Sequence, residues 1–253
     1  MEKKFKLLKN DTITAGNRTL YRIEALRDFA DVKKGDKGGY IEKEDNLSHE
    51  GNCWVYDNAR VCDNAHVHDD AQVCDNAKVS DDAFILGRSV VAGKAWIHLH
   101  AIVHGDALVY GNAWVYGNAQ VGGNARVYDE VIITDEAWIH GYAQVFGNAQ
   151  VAGYARVSDN ALVYDNARVY GNAQVRHNAQ VLDYARVYDN ACVSGYARVS
   201  DNALVHGKAE VSGNALVYGE ARISGNVCVS DNACVYGKAK ICGNMRIYEG
   251  DVV

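Results

Sequence analysis

Not one of the 253 residues is proline. With no proline, no position lacks a backbone donor, so any stretch of the chain is free to join a hydrogen-bonded ladder. A block of basic charge is also missing. The net charge is -6, which together with that absence argues against nucleic acid as a partner. No apolar run approaches the length of a membrane span. The opening "MEKKFKLLKN" has no apolar core, so it does not read as a signal peptide. The seven cysteines include no CxxC pair and no even set. They read as reduced thiols of a cytoplasmic protein rather than a disulfide framework. GxSxG, P-loop and dinucleotide fingerprints are absent as well.

What the chain does have is a beat, plain in "VYDNARVCDNAHVHDDAQVCDNAKV" at residues 55 to 79. Every sixth position from Val55 to Ile247 is Val or Ile, thirty-three in succession. Two positions later stands Asp or Gly in thirty of them, then often Asn, and then Ala in twenty-eight. Ala and Val alternate, so both face one side of a short strand while the residues between them face the other. Asp or Gly followed by Asn supplies a two-residue corner, Asn and Gly being the residues that tolerate left-handed backbone. Three strands and three corners close an eighteen-residue triangular coil. About eleven such coils, stacked at about 4.8 Å each, bury a Val ladder beside an Ala ladder.

This beat resembles that of the hexapeptide-repeat, left-handed parallel β-helix superfamily from about residue 55 to the C-terminus. The second hexad position is often Tyr, His, Ser or Cys here, where the family pattern has a small residue. Handedness is implied by the resemblance and not by the period; a right-handed triangular β-helix, as in bactofilins, is the alternative. Residues 1–54 lack the beat. Their β-like runs and Gly-rich turns suit a small N-terminal β cap over the first coil of a 55–253 repeat domain. Within that region, "LYRIEALRDFADVKKGDKGGYIEKEDNLSHEGNCWVYDNARV" resembles the N-terminal portion of YdcK-type hexapeptide-repeat proteins of bacteria and bacteriophages, commonly labelled acyltransferases. The resemblance implies a homotrimer, and acyl-CoA as the cofactor if the chain is an enzyme.

Strands recur every eighteen residues, so outward residues sort onto three faces. One carries Tyr110, Tyr128, Phe146 and Tyr164, readable as a self-packing ladder or as an oligomer interface. A second carries Trp96 and Trp114 beside His98 and Tyr116, then Arg168, Arg186 and Arg222 beside Tyr170 and Tyr188. Arg next to Tyr suits an anionic or planar ligand, though a soluble solenoid needs outward charge in any case. The third carries His104, Gly122 and His140 in one column and Ile102, Gln120 and Trp138 in the other. Gly122 leaves a gap there between two histidines roughly 10 Å apart. The repeat is least regular in "ILGRSVVAGKAWIHLHAIVHGDALV", where Leu99 takes a corner, and such irregularity marks residues 84 to 146 as the candidate site region.

Three functions follow. An acyltransferase would use His104, His140 or His98 as general base. Against it, no loop interrupts the hexads to form an acceptor pocket. A zinc site like that of γ-class carbonic anhydrases matches the thirty-six-residue spacing of His104 and His140. Its third ligand position is Val145, so no metal is expected. The third reading is an oligomeric binding or assembly protein, in the bacteriophage setting the resemblance includes. It would hold a small ligand, anionic or nucleotide-like, near Trp96, Trp114, Gln120, Gly122 and Trp138. This is the reading the sequence favours.

Overall fold

The computed structural model describes residues 3–253. Among them the chain is all-β, a parallel β-solenoid with one short 3-10 turn at Glu44–Asn46. It divides into two compact units, Met1–Gly123 and Asn124–Val253.

In the first unit, strand β1 (Phe5–Ala15) and strand β2 (Arg18–Ala25) form an antiparallel hairpin around Gly16 and Asn17. Strand β3 (Lys37–Ile41) pairs antiparallel with β2 and parallel with Arg60–Val61, so the hairpin extends one face of the solenoid. Four coils follow. Their rungs begin at Arg60, Lys78, Trp96 and Trp114 on that face, at Trp54, Gln72, Val90 and Leu108 on the next, and at His66, Phe84, Ile102 and Gln120 on the third. The second unit repeats the same three ladders over seven coils, one of them running from Ile132 through Gln150, Arg168 and Arg186 to Lys240.

The expected alternation holds. Ala59, Val61, Ala65 and Val67 are fully buried, as are their equivalents at nearly every rung, while the residues between them face out. Only two residues per side, such as Arg60–Val61, are ladder-paired, shorter than the four-residue strands expected.

The corner differs from expectation in which residue bends. Asn is not among the left-handed residues; Asp or Gly two positions after Val is, with Asp φ values from 50° to 65°. Asp fits because its carboxylate accepts the corner amide one coil on, at 2.8 to 3.4 Å. Such local bonding offsets the cost of left-handed backbone. Leu99, an outlier in the sequence, also takes the left-handed conformation, and its N–H is met by Asp81 at 3.1 Å.

A small aromatic core ties the hairpin to the first coil. Trp54 is buried, with Phe5 and Phe29 edge-on at 6.3 and 5.3 Å. Beneath it Lys4 is fully buried, its ammonium donating to the Cys53 carbonyl at 2.9 Å. Burial lowers the Lys4 pKa and raises that of Cys53. Gly38 and Gly39 let β3 lie this close: a Cβ would stand 2.7 Å from Ile23 at the first and 2.6 Å from the Ala59 carbonyl at the second.

Candidate functional site

The residues singled out by sequence fall into separate places. Trp96, Trp114 and His98 do come together on the Arg60 face of the first unit. The two indoles meet edge-on at 5.4 Å, and Trp96 donates from Nε1 to Ser80 Oγ at 3.2 Å. His98 is sandwiched between Trp96 at 4.5 Å and Tyr116 at 5.0 Å. Its Nδ1 lies 3.7 Å from Asp81, while Nε2 is buried without a hydrogen-bond partner. Burial lowers the His98 pKa, and Asp81 only partly opposes this. The ring is therefore a neutral spacer in an aromatic stack, its unpartnered Nε2 buried away from any substrate and its Nδ1 turned to Asp81.

Gln120, Gly122 and His104 lie on a different face of the same unit. The gap expected at Gly122 is taken up by the His104 imidazole, which a Cβ on Gly122 would overlap. Trp138 and His140 belong to the second unit, where their rings meet at 4.6 Å and Arg156 lies over the indole at 5.5 Å. Tyr110 stands in the first unit. Tyr128, Phe146 and Tyr164 stack in the second, at 5.0 and 4.8 Å and almost coplanar.

A cleft of about 460 Å³ opens on the Arg60 face, between the turn end of the hairpin (Ala15, Gly16, Arg18) and the rungs carrying Arg60, Lys78 and Trp96. Arg18 is held by ion pairs to Asp63 and, at 3.7 Å, Glu42. The other cations are not so occupied. Arg60, Lys78 and Lys94 border a smaller adjoining depression, and none pairs with a carboxylate among the described residues. Lys78 instead reaches to 5.8 Å over the Trp96 ring. Unpaired cations beside an aromatic face, in a chain of net charge -6, make this a local sink for anions.

Cys62 lines the cleft, but burial first and Asp63 next push its thiol pKa up to about 12. At neutral pH it is a thiol and not a nucleophile. No group of three or more His, Cys, Asp or Glu able to hold a metal ion occurs among the described residues.

Arg60, Lys78 and Lys94 were passed over by the sequence reading, although Arg60, Lys78 and Trp96 sit eighteen residues apart and share a face by arithmetic alone. Arg18 gave no such signal, because only the hairpin brings it there.

Fold and cleft together define a hexapeptide-repeat parallel β-solenoid with a basic, aromatic recess beside its N-terminal hairpin. More narrowly, residues 119–135, 155–169, 163–183 and 185–201 match the family described as YdcK Beta solenoid repeat. Over 44 residues the chain is 50% identical to the protein named Uncharacterized acetyltransferase YdcK, of Escherichia coli (strain K12). That stretch is 17% of this chain and 14% of the relative, so the likeness covers about a seventh of that protein.

Proposed function

We propose that the protein is an oligomeric binding module, a homotrimer, that holds an anionic ligand bearing a planar ring in the cleft beside the hairpin. The carrying observation is the row Arg60, Lys78 and Lys94, unpaired with carboxylates, next to the Trp96 indole. Phosphates would lie along the cations and the ring against the indole.

Acyl-CoA, with its adenine and phosphates, belongs to this ligand class. The acetyltransferase name of the relative supports it as the ligand and supports transfer as the second reading. Transfer needs a general base. His98 Nε2 is unpartnered but buried from solvent, out of a substrate's reach, which leaves His104 or His140 as candidates. Binding is therefore the reading supported best.

Calorimetric titration of acetyl-CoA and of ADP at low salt tests the proposal. Arg60→Glu with Lys78→Glu should weaken binding at least tenfold, and raising the salt should weaken it in the wild type. An affinity indifferent to both changes removes the cleft as the site. Acetyl transfer to a panel of hydroxyl and amine acceptors, lost in His104→Ala or His140→Ala, would replace the binding reading with the enzymatic one.

A further inference from the structure

The second unit carries a column of outward residues spaced by eighteen: Thr134, Ala152, Tyr170, Tyr188 and His206. The last three form a stack, with Tyr170 and Tyr188 at 4.9 Å and 4°, and Tyr188 and His206 at 4.7 Å and 1°. The stack stops at Ala152, where a methyl stands in place of a ring. Over that methyl opens a groove of about 390 Å³, lined among others by Gln150, Tyr170, Arg168 and Arg186.

Arg168 and Arg186 are direct partners on neighbouring rungs. Like charges so placed repel, and neither is paired with a carboxylate among the described residues. The one carboxylate lining the groove, Asp135, lies at its corner end and accepts the Gly153 amide at 2.9 Å. Gln150, the rung partner of Arg168, adds an amide at the groove wall.

We propose that this groove is a second binding site, taking a phosphorylated planar ring of the nucleoside monophosphate class. The ring continues the stack on the open side of Tyr170, at the level of Ala152. Protein rings here are held apart by the rung spacing, whereas a free ring settles at its own contact distance and stacks better. The phosphate bridges Arg168 and Arg186, relieving their repulsion through bidentate bonds. Arg168 and Tyr170 are two residues apart on one side of the coil, about 6.6 Å, and the ring stands one rung of about 4.8 Å away, so a ribose and the long Arg side chains together span about 8 Å between base and phosphate.

Adenosine 5′-monophosphate is the probe, titrated into the full chain at low salt and followed by calorimetry. Ala152→Tyr extends the ring stack into the groove. It should raise the melting temperature and cut AMP affinity at least tenfold. Arg168→Gln with Arg186→Gln should cut it equally while leaving the fold intact. Each titration is repeated in the Lys78→Glu background, where the first-unit cleft is disabled, and the same tenfold losses should appear there, so that binding is read at this groove alone. Unchanged affinity in Ala152→Tyr overturns the proposal. So does inorganic phosphate binding as tightly as AMP, since the ring would then contribute nothing.

Discussion

At the scale of single residues, the corners show one position solving two problems. A left-handed residue is needed every sixth position, and one corner amide per turn finds no carbonyl in the ladder. Glycine solves only the first, whereas Asp accepts some backbone strain and meets the amide of the next coil. Asp159 does this for His177 at 2.9 Å. Asp159→Ala should therefore lower stability by about 1–2 kcal/mol, losing the bond and keeping the strained φ. Asp159→Gly should stay within about 0.5 kcal/mol, because relaxed backbone offsets the lost bond. Urea denaturation of the two variants measures the difference. His98 gives a pH signature. Its folded pKa lies below the ordinary 6.5 because burial disfavours its charge. Between the two values the unfolded chain binds the extra proton, so stability is full above about 6.5 and falls as pH drops below it. His98→Phe keeps the stack and should lose that part of the decline, read as urea midpoints at pH 7.5 and 5.5.

At the scale of elements, the hairpin and β3 make the first coil something other than an exposed edge. β3 supplies the rung before Arg60, and the paired glycines allow its approach. Gly38→Ala would press a Cβ against Ile23 and should cost about 1–3 kcal/mol. The loss should appear first as a weakened near-ultraviolet signal from Trp54, packed beneath the hairpin. The hairpin's reach also explains how much of the site was readable in sequence. Trp96 and its face followed from counting by eighteen, and Lys78 was available to the same count. The overhang of Ala15, Gly16 and Arg18 was not, because it depends on where a non-repeating segment folds back. The gap expected at Gly122 failed for a similar reason: a column position fixes where a side chain starts, and His104 turned its ring over the glycine.

At the scale of the whole molecule, the proposed trimer makes its own prediction. Tyr128, Phe146 and Tyr164 already stack on one another, so their alignment does not require a partner. Placed in an interface, however, they resist charge. Tyr128→Glu with Phe146→Glu should convert the trimer to monomer in native mass spectrometry while the far-ultraviolet spectrum stays that of a β-solenoid. A trimer that survives both changes moves the interface to another face. No helix among the described residues is long and apolar enough to cross a membrane.

The sequence by itself determined the solenoid. A period of six with apolar residues in alternation leaves one inward face per strand, and a corner residue that tolerates positive φ closes each side, so coil, faces and core follow from spacing. Which outward residues are occupied and which are left open was decided only by tertiary structure. Arg60 and Lys78 look like ordinary surface charge until the hairpin folds beside them, and His98 looks like a base until Trp96 and Tyr116 close over it. The physical reason is that periodicity encodes direction from the backbone, whereas a site depends on the neighbours that remove or leave solvent.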